Sequence, residues 1–569
     1  MQKYGDHFTA DLFDPWQFLD ANRRNALEKG WAGLFRSEVL LNLPVARIGQ
    51  HFSARMGAPT KDLYVALGTL VLQQIHDLPD AQTVEAVAFN IAWQYALDIR
   101  QSCDANISER TIRNYRALLI EHGLDEVLFQ TVTDRLIKAF KVDPTRQRID
   151  STVLRSAMRR LGRLGTFTET IERFLRQLSR RFPKQYQTID PAVRERYADG
   201  GKRLCFGAAS SSCKPSEAAR RLAQAAQDLL DLVDRFAETE AVATLKEYQL
   251  LTRLLAEQCQ VSGERGGGGG RKLTLKEQKD VGGKSLQNPS DPDATFNSHK
   301  GQGYMMQVME TYTEKPDDDD DDDDDNDDND DHGSAAPATP AAAAEASQQQ
   351  QEPPRPDLIT YVAVNGMTDY DGEALVPALE QTAQRGITPE QVVADTHYGT
   401  ADNPHAAAER GVELIAPAQP GKGSLQCKLQ VEDFEMDAHD RVTRCPAGHT
   451  PMSVSNTQKN YQARFDAGIC AACPLRGGCP VQKPRPTDAT ATRLQYDKPR
   501  LQMYHRRRKE REAAFHERYR WRAGIEGTMS RLKHVLGMAT LRVRGYAAVR
   551  YEAFMGALGL NILRCAAAR

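Results

Sequence analysis

The sequence predicts an α/β protein in which a sheet is flanked by helices and joined to an all-α N-terminal domain, a helical insertion and a small cysteine-rich insertion. Residues 357–418, from "DLITYVAVNGM" to "VELIAPA", alternate strand-like and helix-like patterns. Residues 1–140 carry apolar positions at helical spacing and few strand-like runs. Five of the ten cysteines fall between Cys427 and Cys479. These three observations set the fold class.

Composition and periodicity divide the chain into eight segments. They are a helical N-terminal domain (1–140), a first core strand (141–164), a helical insertion with a Gly-rich break (165–272), further core strands (273–314), an acidic low-complexity insert (315–356), core strands and helices (357–425), the cysteine-rich insertion (426–495) and basic C-terminal helices (496–569). Low complexity and high charge predict that the acidic insert is disordered.

No stretch reaches the roughly 18 consecutive apolar residues that a membrane span requires. The first residues also lack the apolar centre of a signal peptide. We therefore expect a soluble, cytoplasmic protein.

The charge of the chain is unevenly distributed. The formal net charge is −3, but residues 316–333 alone contain 13 aspartates, and without them the charge is +10. Residues 504–550 contain 13 Lys or Arg against 4 Glu. Such a basic segment favours a polyanionic partner, although a solvated helix face explains it equally well.

The segment "NISERTIRNYRALLIEHG" predicts a helix that begins after Asn106 or Ser108. It carries Arg110, Arg113 and Arg116 at a spacing of three. This pattern is compatible with the second helix of a helix-turn-helix pair, in which Arg110 and Arg113 would contact DNA. An ordinary amphipathic core helix is the alternative.

A second basic helix is predicted over residues 516–537, where one carboxylate stands among cations. At 100° per residue, Tyr519, Arg522, Glu526 and Lys533 share a polar stripe about 60° wide. A ladder of ion pairs among Arg522, Glu526 and Lys533 is the purely structural interpretation.

Two aspartates stand where predicted strands end, Asp150 after "TRQRI" and Asp395 after "EQVVA". Together with Glu526 they form the set of hard oxygen ligands that two-metal phosphoryl transfer requires. Three carboxylates brought this close would repel one another unless cations or protons occupy the site.

These residues resemble the DDE transposases of bacterial insertion sequences. The spacing of Tyr519, Arg522, Glu526 and Lys533 matches the Y-R-E-K signature of one large branch. Further matching motifs are "IDSTV" (149–153), "SDPDATFNSHKGQGYMMQVMET" (290–311), "VVADTHYGTADN" (392–403) and "ERGVELIAPA" (409–418). The resemblance covers roughly residues 20–565 apart from the acidic insert.

The resemblance implies an RNase H-like mixed sheet with Asp150, Asp395 and Glu526 as the catalytic triad, binding Mg²⁺ or Mn²⁺. It also implies that Arg522 and Lys533 grip the phosphates that flank the reacting bond and that Tyr519 positions a base or a phosphate. Gly524 and Gly527 each cost on the order of 1 kcal/mol inside a helix. They become intelligible if a DNA backbone approaches there.

The expected activity is metal-dependent cleavage of DNA at the ends of a mobile element, followed by attack of the freed 3′-hydroxyl on target DNA. A homodimer or larger synaptic complex in the bacterial cytoplasm, associated with the nucleoid, is implied because two DNA ends must be joined. Two alternatives are an RNase H-like nuclease without strand transfer and a decayed, non-catalytic DNA-binding protein.

The cysteine cluster contains a CxxC pair, Cys470 and Cys473, followed by Cys479 and preceded by Cys445. Four thiolates at such spacings predict a structural Zn²⁺ site. His449 is an alternative fourth ligand, and a reduced cluster without metal is the alternative to zinc. Similar cysteines in related transposases imply a zinc module inserted into the core.

Overall fold

The computed structural model describes residues 2–9, 15–53, 56, 58–101, 104–198, 215–263, 271–314, 355–419, 429–456, 460–484 and 488–569. The acidic insert, the Gly-rich break and Cys427 lie almost entirely outside these ranges, so the predicted disorder stays a prediction. No helix within these ranges is both long and apolar enough to cross a bilayer.

The N-terminal region is helical. Within the described ranges, helices α1 to α8 are Ala21–Lys29, Trp31–Leu34, Val45–Gly49, Leu63–Ile75, Asp80–Phe89, Ile91–Ala96, Glu109–Glu121 and Leu124–Ala139. The side chains of Asp62 and Ser108 cap α4 and α7 by accepting backbone N–H groups. Helix α4 is buried along nearly its whole length, so it forms the centre of this region.

Strand β1 (Arg146–Arg155) leads from α8 into the insertion. The insertion contains helices α9 to α14, which are Arg163–Arg181, Pro183–Gln187, Pro191–Tyr197, Pro215–Phe236, Glu240–Ala243 and Lys246–Gln258. A hairpin of β2 (Cys259–Ser262) and β3 (Lys272–Leu275) closes it. This hairpin was not expected, because each strand is short and the two pair only with each other. The insertion packs around its own apolar core, which includes Phe174, Leu229 and Leu251.

The sheet is mixed, and the chain is therefore a mixed α/β protein with many helices. Its remaining strands are β4 (Thr295–Asn297), β5 (Gly301–Thr311), β6 (Ile359–Gly366), β7 (Gln391–Ala394) and β8 (Glu413–Ile415). Strand β5 runs antiparallel to β1 on one side, while β7 runs parallel to β1 on the other and is followed by parallel β8. Strands β4 and β6 both pair with β5 in antiparallel fashion. Helices α15 (Leu375–Gln384) and α16 (Asn403–Ala408) follow β6 and β7 along the chain.

The cysteine-rich segment forms a small β-rich unit. Its elements are β9 (Glu435–Met436), β10 (Val442–Arg444), β11 (Ser453–Asn456), β12 (Asn460–Asp466), α17 (Ala467–Ala472) and β13 (Ala491–Asp497). Strands β11, β12 and β13 make an antiparallel sheet around a core that includes Phe434, Phe465 and Tyr496.

The C-terminal helices are α18 (Lys498–Glu510), α19 (Ala513–Tyr519), α20 (Gly524–His534) and α21 (Tyr546–Ala567). The single helix expected over 516–537 is therefore wrong in detail, because a 3-10 turn, Arg520–Ala523, separates α19 from α20. The interruption has a physical reason, since the Trp521 carbonyl accepts a hydrogen bond from the guanidinium of Arg148 at 2.9 Å.

Helix α21 joins the two main parts of the molecule. It packs against α4 and α8 of the N-terminal region and against β6 of the sheet. Asp291 and Asp293, from the segment before β4, accept the N–H groups of Gly545 and Tyr546 at the start of α21. The N-terminal helices, one face of the sheet and α21 consequently share one apolar core.

Candidate active site

Asp150 and Asp395 lie side by side on neighbouring parallel strands. Ile149 of β1 is in register with Ala394 of β7, so the next residue along each strand is one of the two aspartates. Each carboxylate also accepts a backbone N–H, Asp150 from Ser151 at 2.7 Å and Asp395 from His397 at 2.8 Å. Two residues 245 positions apart in the sequence therefore meet beside the carboxyl end of β7. The expectation that a strand ends at Asp150 is wrong, because β1 continues to Arg155 in its pairing with β5.

Arg522 connects this pair to Glu526. Its guanidinium donates one hydrogen bond to Asp150 at 2.7 Å and another to Glu526 at 3.1 Å. The Asp150 side chain is 13 % exposed, whereas that of Glu526 is 68 % exposed. Arg522 thus contacts two of the three acidic residues of the expected triad, and the third, Asp395, lies beside Asp150 on the neighbouring strand.

The electrostatics of the pair favour a bound cation. Burial raises the pKa of Asp150, and the neighbouring charge of Asp395 raises it further, while the Ser151 N–H and Arg522 oppose the shift. The charged form of Asp150 in this setting is stabilised by nearby positive charge, and Arg522 supplies part of that charge. Two adjacent hard oxygen donors suit a divalent cation such as Mg²⁺.

The same arrangement does not yet form a metal cage. Within the described residues, no group of three or more His, Cys, Asp or Glu side chains is arranged to hold a metal ion. Glu526 is turned towards Arg522 and solvent, so its ligand role requires a change of side-chain rotamer.

Tyr519 lies beside these acidic groups. Burial raises the pKa of its hydroxyl, Arg522 lowers it, and the charges of Asp395 and Asp150 raise it again. Its ring stacks on Phe515 with centroids 5.5 Å apart. Tyr519, Arg522 and Glu526 therefore converge on the aspartate pair even though the 3-10 turn interrupts their helix.

The other predicted DNA contacts are spread over the surface. Lys533 is partly exposed on α20 and has no ion-pair partner in the part of the chain that the structure describes. Arg110 and Arg113 are exposed on α7, opposite the face buried through Ile112 and Tyr115. Arg113 forms an exposed ion pair with Glu109 at 3.7 Å, and α7 is also an amphipathic core helix. Its structure does not choose between the two interpretations.

A buried charge network lies behind the site, and the sequence patterns missed it. Arg148, two residues before Asp150, donates to Glu310 at 2.8 Å, to Asp357 at 3.2 Å and to the Trp521 carbonyl. Glu310 is fully buried and also accepts from Thr528 at 2.7 Å and from Arg564 at 2.8 Å. This network holds α20 against β1 and β5 from the side opposite to Glu526.

Gly524 belongs to this network, and the expectation that it admits a DNA backbone is wrong. A Cβ at position 524 would lie 2.1 Å from a terminal nitrogen of Arg148, so the missing side chain makes room for the guanidinium. A Cβ at Gly527 would meet nothing within 4 Å. Only Gly527 keeps the interpretation that a ligand approaches closely.

Arg506 of α18 is a second side chain that the sequence patterns missed. It donates to the backbone carbonyls of Thr400 at 2.9 Å, Gly399 at 3.3 Å and Ala416 at 3.4 Å. These carbonyls lie in the loop after Asp395 and in the segment after β8. An arginine in a basic run is normally solvated, so no sequence signal separates Arg506 from its neighbours.

The four predicted zinc ligands lie around one cavity of about 100 Å³. Cys445, Cys470, Cys473 and Cys479 line it together with His449, and all four cysteines are free thiols. Burial raises the pKa of Cys479, and the proximity of Cys470 and Cys473 adds to the effect. Proximity is thus observed, but the geometry of a metal site is not.

Two parts of the chain match the models of known families. Residues 444–566 match the family described as Transposase DDE domain. Residues 35–118 match a second family, described as Transposase domain (DUF772). No curated protein and no solved structure matches the chain.

The two family matches support an insertion-sequence DNA transposase. The first family implies an enzyme of the nucleotidyl-transferase type that binds DNA, and such enzymes typically use divalent metal ions.

Proposed function

We propose that this protein cleaves DNA at the ends of its mobile element and transfers the freed 3′-ends into target DNA. The observation that carries the proposal is that Asp150 and Asp395 lie side by side on parallel strands while Arg522 links Asp150 to Glu526. The strand succession β6–β5–β1–β7–β8, with only β5 antiparallel to the rest, supports an RNase H-like core.

Asp150, Asp395 and Glu526 are the residues that would hold Mg²⁺ or Mn²⁺. Bound ions of this kind supply Lewis acidity to the attacking and leaving oxygens of a phosphodiester. Glu526 would take this role by giving up its contact with Arg522 and turning its side chain towards Asp150 and Asp395. Because its side chain is largely exposed, the exchange meets little steric resistance.

Arg522 would then have a different partner. In the free protein its guanidinium neutralises Asp150 and Glu526. When cations take over this role, Arg522 is released to donate to a phosphate of the DNA, a ligand that guanidinium groups bind well. Tyr519 and Lys533 would position the same strand on either side of the reacting phosphate.

The test is an end-cleavage assay with labelled DNA that carries the element's ends, in the presence of Mg²⁺. We expect Asp150→Asn, Asp395→Asn and Glu526→Gln each to lower the cleavage rate by about a thousand-fold or more. Asp402→Asn and Glu517→Gln are matched controls, because both carboxylates are exposed near the site and have no ion pair among the described residues. Normal cleavage by all three triad variants would refute the assignment.

Pre-cut ends separate transposition from simple hydrolysis. A transposase joins a pre-cut 3′-end to a target duplex, whereas a nuclease of the same fold leaves it unjoined. If the protein were a decayed DNA-binding protein, the wild-type chain and the Asp395→Asn variant would bind the ends equally well. Neither would show magnesium-dependent cleavage. A homodimer is part of the proposal, and sedimentation of the protein with and without end DNA tests it.

For the cysteine cluster we propose a structural Zn²⁺ bound by Cys445, Cys470, Cys473 and Cys479. Their position around one cavity supports this proposal. Metal analysis of the purified protein should find one zinc per chain, lost in a Cys470→Ser, Cys473→Ser double variant and kept in Cys565→Ser, a buried cysteine elsewhere. Zinc-free wild-type protein with four reactive thiols would contradict it.

A further inference from the structure

A groove of about 720 Å³ lies where the helical insertion meets the sheet. Its walls come from the start of α9, the end of α14, the segment before β4, and β4 itself. It is open to solvent and separate from the residues of the candidate active site. None of the residues assigned above to catalysis or to zinc contributes to it.

The chemistry of the lining is distinctive. None of the described residues that line the groove is acidic, and two are arginines, Arg160 and Arg163. The polar remainder is made of amides and hydroxyls, among them Gln258, Gln278 and Asn297. Arginine, amide and hydroxyl groups are the side chains that proteins use most on DNA phosphates and sugars.

Arg163 is a cation without a carboxylate. Its guanidinium donates to the Gln258 side-chain oxygen at 2.8 Å and to the Gln258 backbone carbonyl at 3.0 Å. No ion pair to Arg163 occurs in the described part of the chain. A half-buried arginine held only by neutral groups keeps its full charge available to an anion.

Gln258 is oriented by the same contact. The residue is 5 % exposed, and because its side-chain oxygen accepts from Arg163, its amide nitrogen is left to face the groove. That nitrogen has no hydrogen-bond partner among the residues described. It is therefore a second donor, fixed in place, beside the Arg163 charge.

Arg160 completes the positive wall. Its guanidinium lies over the ring of Phe296 at 4.3 Å from the centroid, and it likewise has no ion pair within the described ranges. The nearby carboxylate of Asp369 is neutralised by Lys284 at 2.8 Å. The groove thus presents positive charge that the protein does not neutralise.

One loop connects the groove to the candidate active site. Thr368 lines the groove, and Tyr370, two residues later, donates its hydroxyl proton to the carbonyl of His397. His397 in turn follows Asp395 by two residues and donates its N–H to that carboxylate. The loop lies after the end of β6, which runs parallel to β1 and β7, so groove and aspartates share the carboxyl edge of the sheet.

We propose that this groove binds the phosphodiester backbone of the DNA strand that passes through the candidate active site, which makes the helical insertion a DNA clamp. The inference rests on the proposed DNA function and extends it to a surface outside the triad. Arg160 and Arg163 bind the phosphates, and Gln258 donates to a phosphate or sugar oxygen between them.

Binding of a fluorescein-labelled 30-base-pair duplex to the full chain, in buffer without added Mg²⁺ or Mn²⁺ so that no cleavage occurs, tests the inference. We expect an Arg160→Gln, Arg163→Gln double variant to weaken binding about ten-fold near 0.1 M salt and to reduce the salt slope by about two. The matched control is Arg180→Gln with Arg181→Gln. These two arginines are exposed at the end of α9, whereas Arg163 lies at its start. They lie outside the groove and have no ion pair among the described residues.

Gln278→Glu provides a variant that leaves the packing intact, because this side chain is exposed at the rim. It adds a negative charge and should also weaken duplex binding. Equal losses in the groove pair and the control pair would overturn the inference, since they would indicate bulk charge alone. Unchanged binding in the groove variants would overturn it as well.

A labelled deoxynucleoside triphosphate distinguishes a DNA strand from a small anion. Comparable affinity for this probe, lost in the groove variants, would replace the clamp by a nucleotide site. Different results would refute the proposed function. They are a wild-type chain that does not bind the duplex, or triad variants that cleave DNA normally. If the wild-type chain binds the duplex and the groove variants bind it equally well, only the clamp inference fails.

Discussion

A glutamate lies on each side of helix α20, and the two glutamates have opposite surroundings. On the face towards the sheet, Glu310 is fully buried, and both of its oxygens accept hydrogen bonds, from Arg148, Arg564 and Thr528. On the outer face, Glu526 is 68 % exposed, and Arg522 is its ion-pair partner in the described structure. A carboxylate with every oxygen satisfied fixes a helix in place, whereas one with spare acceptor capacity remains able to bind a ligand.

The largest effect should come from removing the buried charge. Glu310→Gln removes the fully buried counter-ion that Arg148 and Arg564 share and leaves Asp357 as the remaining carboxylate beside them. Breaking a buried pair in this way typically costs about 3–5 kcal/mol of unfolding free energy. Glu526→Gln changes an exposed residue and should alter stability by no more than about 0.5 kcal/mol. Urea denaturation of both variants measures the contrast. If Glu310→Gln cost as little as Glu526→Gln, the distinction between the two faces would be lost.

A second buried cluster, near the N-terminus, sharpens the comparison because it contains a group that titrates. The His7 side chain is 6 % exposed and contacts Asp98 at 2.9 Å and Asp62 at 3.0 Å. Burial lowers the pKa of this imidazole, but the two hydrogen-bonded carboxylates outweigh burial and raise it to about 9. Arg36 and Arg100 also contact Asp98, so the cluster contains both signs of charge.

Because the folded-state pKa of His7 lies above its ordinary value, the stabilisation is complete below about pH 6.5 and is lost as the pH rises through 9. We expect a loss of up to roughly 3 kcal/mol between pH 6 and pH 10. Calorimetry across this range should show a steeper fall for the wild type than for His7→Gln. His405→Gln, an exposed histidine, is the control that should follow the wild type. A parallel fall in wild type and His7→Gln would show that the cluster does not titrate.

The two glycines of α20 give a smaller effect of opposite sign. Gly524→Ala forces the Arg148 guanidinium out of its bonds and should destabilise by about 1–3 kcal/mol. Gly527→Ala meets no atom and should stabilise by about 0.5–1 kcal/mol, the usual gain in helix propensity. Thermal melting of the two variants measures both signs. Stabilisation by both substitutions would show that Arg148 does not depend on the space at position 524.

The smallest effect concerns the ligand that Gly527 is expected to admit. If DNA approaches there, Gly527→Ala weakens duplex binding by about ten-fold while the free protein becomes more stable. Fluorescence anisotropy with the 30-base-pair duplex measures this change, and Lys246→Ala, a residue of the insertion, serves as a control. Unchanged affinity in Gly527→Ala would remove the last argument that α20 glycines serve DNA contact.

Much of the candidate site could be predicted from the sequence because it depends on short-range patterns. Strand patterns before Asp150 and Asp395 predict that both aspartates belong to one sheet, although β1 continues past Asp150. The spacing around Glu526 predicts a helix there but not the 3-10 turn that precedes it. What the sequence does not carry is which polar side chains turn inward. Arg148 lies two residues from Asp150 in a strand whose first seven residues, RQRIDST, are polar except for Ile149, and a charged residue in such a run is normally solvent-facing.

The same limit explains the missed elements of the fold. The hairpin of β2 and β3 depends on pairing across a glycine-rich segment, and the break of the helix at Arg520–Ala523 depends on a hydrogen bond from Arg148, more than 370 positions away. Asp291 and Asp293 accept the N–H groups of Gly545 and Tyr546 at the start of α21, a contact that no local pattern indicates. Local propensity cannot reveal partners that only tertiary packing supplies.

Helix α21 has a consequence for how the chain matures on the ribosome. The apolar surfaces of α4 and α8 are synthesised roughly 400 residues before the helix that covers them. At typical elongation rates of 5–20 residues per second, about 20–80 seconds separate the two events. During that interval the nascent chain exposes the apolar surface that α21 later covers. We therefore expect binding by chaperones and early degradation to limit how much folded protein accumulates.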